Sequence, residues 1–480
     1  MTENKSFYIT TTLPYVNAEA HIGHALEFIR ADVIARVKKI DGYEVFLGMG
    51  TDEHGAKIER NAKALSLPPQ EFVDKVSLTF KNLMNLLGIS SDVHFHRTTD
   101  PKHIESAQGF WKICKKNGYI YKKNYKIKYC VGCELEKTDS ELVDGKCPIH
   151  PSLVIEEIEE ENYFFKFSEF QKPLLDFYEK NPDFVVPSFR FNEIKSFVKG
   201  GLNDFSISRL KSKMSWGVEV PDDSNHVMYV WFDALVSYIS NIGWPKDEKS
   251  FEKWWIKTGG VIQYCGKDNL RQQSAMWQAM LMSVGLPNSR QIVINGFVTG
   301  EGGIKMSKSI GNTVDPLEII KEYGTDALRY FVLREVHPFE DSPFTMEKFK
   351  ESYNAHLANG LGNLVSRVMK MAETNEIRLD HNFVPQKDPR HEEFYASFEI
   401  NRVCDDIWLR IQHADKFIQD NQPFKVIKTD EQKGKEQISY LLTQIAEIEF
   451  LLRPILPQTS EKIAQALKDN KIAEALFMRK

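Results

Sequence analysis

The sequence lacks long apolar runs and is poor in cysteine. No stretch of its 480 residues approaches the length of about 20 apolar residues that a membrane-spanning helix needs, and its start lacks the charged lead and apolar core of a secretory signal. Three of only six cysteines crowd into one short stretch with a histidine, which argues against a disulfide framework. We therefore expect a cytoplasmic protein without a membrane partner.

The sequence also lacks a strong excess of either charge. A net charge of −5 neither requires nor excludes a nucleic-acid partner, because RNA binding needs only a local basic face. One candidate face is the lysine- and tyrosine-rich stretch 112–128, for which a solvated helix followed by a hairpin is the alternative. The length predicts about two to four domains.

A segment rich in glycine and lysine spans residues 302–312. Its Lys305 and Lys308 place two ammonium groups three residues apart. Such a segment suits a mobile loop that closes over a polyphosphate and then withdraws. A basic surface turn is the alternative.

His21 and His24 lie at a predicted strand-to-helix turn. Residues 7–12 have the composition of a strand, and apolar residues at helical spacing follow the histidines. A helix N-terminus offers free N–H donors, Gly23 allows a ligand to approach the backbone, and two imidazoles can donate to phosphate oxygens. Capping or packing is the alternative, and the lysine segment in the same chain favours phosphate binding.

Cysteines and a histidine form the pattern C-x2-C-x13-C-x2-H, which is a strong tetrahedral zinc signature. Its members are Cys130, Cys133, Cys147 and His150. Four protein ligands leave no open coordination position, so we expect one structural Zn²⁺.

Residues 1–115 alternate strand-like and helical segments, as in the first half of a doubly wound parallel sheet. Ligands bind at the carboxyl ends of strands in such folds. Asp52 follows the strand 43–48 and could pair with the ammonium group of an amino acid. Asp268 follows the strand 263–266 and could accept bonds from ribose hydroxyls. A helix cap is the alternative for each.

The apolar run 227–232 is predicted to be a buried strand that begins the second half of the sheet. A candidate aromatic pocket has four members: Leu13, Tyr15, Trp231 and Tyr238. If they converge, they suit a thioether, because sulfur contacts aromatic rings favourably. An ordinary hydrophobic core is the alternative.

The complete segments His21-Ile22-Gly23-His24 and Lys305-Met306-Ser307-Lys308-Ser309 resemble the two signatures of class I aminoacyl-tRNA synthetases, and the likeness covers nearly the whole chain. Within that class, residues 14–17, 50–55, 229–234 and 266–268 resemble the methionyl-tRNA synthetase family. The resemblance implies an α/β protein: a Rossmann-like catalytic domain with a doubly wound parallel sheet, a zinc-knuckle insertion and a C-terminal α-helical bundle that binds the anticodon.

We divide the chain accordingly into five segments. They are the first catalytic half (1–115), an insertion (116–228) with its zinc knuckle at about 128–152, the second catalytic half (229–298), the lysine loop and stem-contact region (299–350) and the anticodon-binding bundle (351–480). The insertion is too short for the hydrolytic editing domain of the isoleucine, leucine and valine enzymes. We expect a monomer, because no domain follows the bundle.

The resemblance also implies roles for individual residues. Catalysis would fall to His21, His24, Lys305, Lys308 and Arg209. Methionine binding would fall to Leu13, Tyr15, Asp52, Trp231, Ala234, Tyr238 and Gln273. ATP binding would fall to His21, Gly23, His24, Asp268, Lys305 and Lys308. Anticodon binding would fall to Asn363, Arg367 and Phe424. The chain departs from the family pattern at three positions: Gln273 replaces a common histidine, Leu235 a proline and Phe424 a tryptophan.

The expected reaction has two steps. Methionine and ATP·Mg²⁺ give methionyl-adenylate and pyrophosphate, and the aminoacyl group then passes to tRNA(Met) for translation initiation and elongation. Positioning and stabilisation of phosphate charge suffice, without a side-chain nucleophile. Two alternatives remain: a class I synthetase of the cysteine type, which also lacks an editing domain, and a zinc-bearing RNA-binding protein that has lost catalysis.

Overall fold

The computed structural model describes residues 5–17, 19–133, 135–137, 139–303 and 314–480. Two compact units make up the chain. The first, here called the sheet unit, comprises Met1–Ala20, Gly42–Asn82 and Asp92–Ile294. The second, here called the helical unit, comprises His21–Asp41, Leu83–Ser91 and Asn295–Lys480. The finer division into five segments stays a prediction.

Strands occur mainly in the first two thirds of the chain. In chain order they are β1 (Ser6–Thr11), β2 (Glu44–Thr51), β3 (His94–Arg97), β4 (Ile120–Cys130), β5 (Leu135–Lys137), β6 (Glu156–Phe165), β7 (Val185–Val186), β8 (Phe205–Ser206), β9 (Ser208–Leu210), β10 (Glu219–Val220), β11 (Asp223–Met228), β12 (Ile262–Gly266), β13 (Gln291–Asn295), β14 (Val298–Thr299) and β15 (Ser342–Pro343).

Helices connect the strands and dominate the last third. In chain order they are α1 (Ile22–Ile40), α2 (Ala56–Ala64), α3 (Pro69–Leu86), α4 (Pro101–Lys116), α5 (Gln171–Lys180), α6 (Ser188–Lys199), α7 (Val230–Ala234), α8 (Ser237–Ser240), α9 (Glu248–Phe251), α10 (Trp277–Ser283), α11 (Pro316–Tyr323), α12 (Thr325–Tyr330), α13 (Met346–Ser352), α14 (Asn363–Thr374), α15 (Pro389–Ala396), α16 (Ile400–Asn421), α17 (Pro423–Thr429), α18 (Glu431–Leu452) and α19 (Pro457–Asp469).

A six-stranded sheet in the order β3-β2-β1-β12-β13-β7 forms the centre of the sheet unit. β1 is parallel to both of its neighbours, β2 and β12. Phe7, Tyr8 and Ile9 of β1 are all buried, as expected for a strand covered on both faces. The strand order reverses direction between β1 and β12, so their carboxyl ends border the crevice where doubly wound sheets bind ligands. The predicted α/β class is confirmed.

The predicted strand at 227–232 is wrong in its second half. β11 ends at Met228, and Val230–Ala234 is the short helix α7. β11 also pairs antiparallel with β9 and β10 in a separate three-stranded sheet. A short apolar run fits a buried helix as well as a buried strand, and periodicity cannot separate the two.

The basic stretch 112–128 forms the end of α4 and most of β4, as its alternative predicted. β4 pairs antiparallel with the acidic strand β6. Lys122 lies 3.0 Å from a carboxylate oxygen of Glu161, and Lys126 lies 3.5 Å from one of Glu157. These cross-strand ion pairs weaken the case for an RNA-binding face on β4.

Helices α14, α16 and α18 supply long apolar faces to the helical unit. The predicted stripe Leu357, Leu361, Leu364 and Val368 is fully buried, and the helical region predicted for the C-terminal part is confirmed. Among the described residues, no helix combines the length and the apolarity that crossing a membrane requires.

A buried arginine joins four parts of the helical unit. Arg329 of α12 donates to Asp32 of α1 (2.9 Å) and to the backbone carbonyls of Leu87, Pro454 and Ile455 (3.2, 3.1 and 2.9 Å). Both charged side chains are fully buried. Burial alone would raise the pKa of the Asp32 carboxyl, but the nearby guanidinium groups hold it below its usual value.

Candidate functional site

Backbone hydrogen bonds hold the segment after β1 against the ends of its two neighbouring strands. Thr12 N–H donates to the carbonyl of Tyr264 at 3.0 Å. Asp52 N–H donates to the carbonyl of Pro14 at 2.9 Å, and Val16 N–H donates to that of Asp52 at 3.0 Å. The half-buried Leu13 and Tyr15 therefore lie beside Asp52, at the carboxyl edge of the sheet.

The turn after β2 fits closely around Tyr15. Gly55 has φ +117°, which favours glycine, and a Cβ atom there would lie 2.6 Å from the Tyr15 hydroxyl oxygen. Gly55 is also the N-cap residue of α2, so the capping alternative for Asp52 is wrong. The Asp52 side chain is 5% exposed, and a buried carboxylate beside aromatic rings suits a small cation such as an ammonium group.

Aromatic residues from three elements meet beside this turn. Tyr15 and Trp231 pack against the cluster formed by Tyr129, Tyr229 and Val230. Trp231 lies on α7. Through this cluster it joins α7 to Tyr15, the predicted pocket residue that follows β1. The adjoining Ala234 on α7 is buried. The structure thus brings Tyr15, Trp231 and the Asp52 turn together.

A buried carboxylate with two histidines connects the β2 turn to α7, and the sequence analysis missed it. Asp233 lies 2.6 Å from Nδ1 of His54 and 2.7 Å from Nε2 of His103. Burial would raise the pKa of Asp233, but the two imidazoles outweigh it and hold that pKa well below its usual value. Asp233 lies in the segment 229–234 and His54 in the segment 50–55, but nothing in the sequence indicated that they are paired.

His96 extends this network and gives the sheet unit an acid-sensitive element. Its Nε2 lies 3.2 Å from Nδ1 of His103 and 3.2 Å from the Ser240 hydroxyl. Burial and the neighbouring His103 lower the pKa of His96 well below 6.5.

We expect the sheet unit to lose stability below about pH 6.5, where the unfolded state takes up a proton that folded His96 does not bind. His96 changes the free energy of unfolding by up to about 1.4 kcal/mol per pH unit, and this free energy rises as the pH rises. Urea unfolding between pH 7.5 and 5 measures it. His96→Gln, which cannot titrate, should show a smaller slope, and an equal slope in both proteins would contradict this assignment.

Tyr238 and Gln273 lie in contact, as the predicted pocket requires. Nε2 of Gln273 donates to the Tyr238 hydroxyl oxygen at 2.6 Å. Tyr238 is 4% exposed and Gln273 is 1% exposed. Tyr238 belongs to an apolar core against which the partly buried Trp231 packs.

Arg209 lies against the same aromatic cluster. Its guanidinium carbon is 5.1 Å from the ring centroid of Tyr129 and 4.9 Å from that of Tyr229. Its Nη1 donates to the Ser206 hydroxyl (2.7 Å) and to the carbonyl of Ser208 (2.8 Å). Two rings and two hydrogen bonds hold the cation in one orientation, as a positioned charge requires. Asp268 is exposed directly after β12, at the carboxyl end of that strand.

The histidine pair of the helical unit forms a reciprocal cap on α1. Nδ1 of His21 accepts from the backbone N–H of Gly23 at 3.1 Å, and Nδ1 of His24 accepts from that of His21 at 3.2 Å. The capping alternative is therefore confirmed. Because both Nδ1 atoms accept, the neutral rings carry their protons on Nε2. The rings stack with centroids 3.9 Å apart, so two Nε2–H donors lie side by side at a helix N-terminus.

The two lysines of the 302–312 segment, Lys305 and Lys308, lie outside the described residues. Their roles stay predictions.

The predicted metal ligands converge. The ligand atoms of Cys130, Cys133, Cys147 and His150 all lie within 4.8 Å of one another. Sγ of Cys133 is 3.4 Å from Sγ of Cys147 and 3.2 Å from Nδ1 of His150. Bonds of about 2.1 to 2.3 Å to a central ion produce edges of this size in a tetrahedron. A Cβ on Gly132 would lie 2.5 Å from Cγ of His150, so only glycine lets the imidazole approach this closely.

A second group with metal-ligand chemistry, Asp388, His391 and Asp406, is already neutralised. Arg390 lies 2.7 Å from Asp388 and 2.8 Å from Asp406, and Nε of Arg410 lies 2.8 Å from Asp406. A metal ion here would face two guanidinium groups. We interpret the group as an ion-pair network between α15 and α16.

The three residues predicted to bind the anticodon lie on α14 and α17 of the helical unit. Asn363 is exposed at the start of α14, and the half-buried Arg367 one turn later forms an ion pair with Asp415. Phe424 is 43% exposed near the start of α17, beside the buried Pro423. An exposed ring is available for stacking on a base, whereas Arg367 would first have to leave Asp415.

Comparisons with known proteins agree on one family. A family model described as tRNA synthetases class I (M) matches residues 7–157 and 154–369. A methionine–tRNA ligase of Nostoc is 39% identical over 96% of this chain and 90% of its own length, and one of Rickettsia felis is 38% identical over 98% and 94%. The solved structure of Mycobacterium tuberculosis methionyl-tRNA synthetase in complex with methionyl-adenylate is 33% identical, with a TM-score of 0.90 over 99% of this chain and all of that one. The chain therefore belongs to the methionyl-tRNA synthetase family of class I aminoacyl-tRNA synthetases.

Proposed function

We propose that this protein activates L-methionine with ATP and transfers the methionyl group to tRNA(Met). The observation that carries the proposal is the pocket of the sheet unit, in which a buried carboxylate, Asp52, borders aromatic rings at the carboxyl edge of a parallel sheet. A carboxylate pairs with the α-ammonium group, and an aromatic surface suits an uncharged thioether. The membership of the family supports the same substrate.

Activation requires the methionine carboxylate to attack the α-phosphate of ATP. Asp52 would hold the α-ammonium group, while Leu13, Tyr15, Trp231, Ala234, Tyr238 and Gln273 would surround the side chain. The methionine carboxylate, held in this way, is itself the nucleophile, so the reaction needs none from the protein.

The developing negative charge on the phosphates needs donors. We assign the Nε2–H groups of His21 and His24 to it, together with Lys305, Lys308 and the rigidly held Arg209, while Gly23 allows the phosphates to approach the backbone. Asp268 would accept from the ribose hydroxyls. Mg²⁺ bound to the ATP phosphates supplies further charge neutralisation.

The cysteine and histidine cluster is proposed to hold one structural Zn²⁺. Three thiolates and an imidazole form the preferred donor set of this ion, and four ligands fill its coordination. None of the six cysteines, all of which the structure describes, is in a disulfide, and this supports our proposal of a cytoplasmic protein. Asn363, Arg367 and Phe424 are proposed to contact the anticodon, and the protein to act as a monomer.

The decisive experiment is amino-acid-dependent ATP–pyrophosphate exchange with each of the twenty amino acids, without tRNA. Exchange with methionine alone would support the proposal. Exchange with cysteine would keep the fold and overturn the substrate. An absence of exchange in folded, zinc-loaded protein would favour an RNA-binding protein without catalysis.

The zinc assignment predicts that Gly132→Ala loses about 10- to 100-fold in zinc affinity, because the new methyl group displaces His150 from the cluster. Competition with a chromogenic chelator measures this affinity. Gly109→Ala is the matched control, since its Cβ would meet no atom closer than 3.9 Å. The choice of amino acid in the exchange assay should not change in either variant. Unaltered zinc binding in Gly132→Ala would remove His150 from the ligand set.

A further inference from the structure

Side chains from distant parts of the sheet unit hold the Asp52 turn, which comprises residues 52–55. The backbone N–H of Glu53 donates to the Thr98 hydroxyl oxygen at 2.9 Å, and the carbonyl of Glu53 accepts from the indole N–H of Trp216 at 2.6 Å. The backbone N–H of Gly55 donates to the carbonyl of Trp216 at 3.1 Å. These three bonds fix the backbone of the turn, but none of them connects it to α7.

The side chain of His54 makes the connection to α7. Its Nδ1 lies 2.6 Å from Oδ2 of Asp233. Asp233 lies on α7 between Trp231 and Ala234, two residues of the predicted pocket. His54 is 4% exposed and Asp233 is fully buried. Because His54 follows Asp52 by two residues, this one contact joins the carboxylate of the predicted pocket to its aromatic part.

The direction of both hydrogen bonds at Asp233 is determined by its charge. The two imidazoles hold the pKa of Asp233 well below its usual value, so the carboxylate is ionised and can only accept. Nδ1 of His54 therefore donates to Oδ2, and Nε2 of His103 donates to Oδ1 at 2.7 Å. With one donor on each oxygen, the carboxylate cannot rotate without breaking a hydrogen bond.

His103 supports Asp233 from the side opposite to His54 in the hydrogen-bond network. It lies on α4, is fully buried, and its Nδ1 is 2.9 Å from the hydroxyl oxygen of Ser240 on α8. A binding group keeps its geometry only if the side chains behind it are themselves held in place. Here that support comes from three helices, α4, α7 and α8.

The chemistry of the network points to a geometric role. A buried ion pair often stabilises a fold no more than apolar side chains of similar volume would. A fully satisfied polar network does, however, favour a single arrangement of the elements that it joins. The arrangement that His54 and Asp233 determine is the position of the Asp52 turn relative to α7.

We propose that His54 and Asp233 are positioning residues, which hold the Asp52 carboxylate at the distance from α7 that the α-ammonium group and the side chain of methionine require. Neither residue touches the substrate, and both act through Asp52. The inference rests on the proposed function, because it takes Asp52 as the partner of the ammonium group. Loss of the bond between His54 and Asp233 should therefore weaken the ammonium interaction selectively.

The test compares two inhibitors, L-methioninol and 4-(methylthio)butan-1-ol. They differ only in the amino group, and neither has a carboxylate that could be activated. The inhibition constant of each is measured against methionine in ATP–pyrophosphate exchange at neutral pH, and the quotient of the two constants is here called the ammonium ratio. In the wild-type protein this ratio should favour methioninol by about 10- to 100-fold, the effect of a charge-assisted pair.

Two substitutions of His54 distinguish positioning from a general structural role. His54→Leu has no donor and should lower the ammonium ratio by about five- to tenfold, with little change in the affinity for 4-(methylthio)butan-1-ol. In His54→Asn the amide nitrogen can take the position of Nδ1 and donate to Asp233, so the ratio should stay within about twofold of the wild-type value. A purely structural role would weaken both inhibitors equally and leave the ratio constant.

A double-mutant cycle tests whether His54 acts through Asp52. Asp52→Asn removes the charge and should itself lower the ammonium ratio by about 10- to 100-fold. Adding His54→Leu to Asp52→Asn should lower the ratio no further, because the group that His54 positions is already absent. A second, additive fall would overturn the inference.

Stability is controlled separately, since His54→Leu removes one donor from a buried carboxylate. The double variant His54→Leu with Asp233→Leu removes both ends of the pair and should melt at a higher temperature than His54→Leu, yet its ammonium ratio should stay low. His226→Leu is the matched control. His226 is a buried histidine of the sheet unit whose Nδ1 lies 3.1 Å from Asp223, and its loss should lower the melting temperature without changing the ratio. A ratio that recovers together with stability in the double variant would contradict positioning.

The outcomes separate this inference from the proposed function. Wild-type protein without methionine-dependent exchange would overturn the proposed function. Methionine-dependent exchange with an ammonium ratio that falls in Asp52→Asn but not in His54→Leu would overturn the positioning role alone.

Discussion

The variant His24→Asn is expected to lose about 100- to 1000-fold in the rate of methionine-dependent ATP–pyrophosphate exchange, with little change in KM for methionine. Asparagine can keep the cap on α1, because its amide oxygen occupies nearly the position of the histidine Nδ1 that accepts from His21 N–H. It cannot reach the position of Nε2, so the distal donor is lost. Single-turnover adenylate formation separates this chemical step from product release.

His24→Gln is the matched control, because a glutamine amide can reach the Nε2 position. It should retain more activity than His24→Asn. Burial and the neighbouring His21 lower the pKa of His24 well below 6.5, so His24 stays a neutral donor through the physiological range. Wild-type activity in His24→Asn would show that the histidine pair only caps the helix.

Replacing Arg329 by methionine should cost the helical unit about 3 to 5 kcal/mol of unfolding free energy. The substitution removes the guanidinium group but leaves the buried Asp32 carboxylate and three carbonyl oxygens without that donor. The helix that carries His21 and His24 is one of the elements joined at this point. Urea unfolding, with hydrogen exchange of α12 amides as a local probe, measures the loss.

Arg402→Met provides the comparison on the surface. Arg402 is half exposed and pairs with Glu399, and such pairs contribute at most about 1 kcal/mol. The double variant Asp32→Leu with Arg329→Met should be more stable than the sum of the single losses implies, because it removes both buried charges. A loss below 1 kcal/mol in Arg329→Met would mean that water reaches Asp32 in the native state.

Local chemistry made parts of this protein predictable from its sequence. The sequence predicted the four residues whose ligand atoms the fold brings together, Cys130, Cys133, Cys147 and His150, because ligand type and spacing within about 20 residues carry that information. The strand β1, the helix after the histidine pair and the strands before Asp52 and Asp268 were also located, since each has its own hydrophobic pattern. The family resemblance implied a set of site residues. Among them, Tyr238 and Gln273 are a pair that the fold brings into contact.

Long-range partners were not predictable. Gln263 and Ser289 are polar residues in apolar surroundings, and nothing near them in the chain indicates that Gln263 forms hydrogen bonds with both Gln273 and Ser289. His103 lies 130 residues from Asp233, the residue to which it binds. The region 227–232 was assigned to the wrong element, because a short apolar run has no distinguishing period. Strand order depends on packing between distant segments, which a single sequence does not display.

The position of β12 beside β1 has a consequence for synthesis of the chain on the ribosome. β1 ends at Thr11, and its partner β12 begins at Ile262, about 250 residues later. At a translation rate of about 5 to 20 residues per second, one edge of β1 stays unpaired for about 12 to 50 s until its partner has been translated. During that interval an apolar strand has an unpaired edge, which is the kind of surface that aggregates or recruits chaperones. The crevice between these strands therefore cannot form in a nascent chain until β12 has been translated.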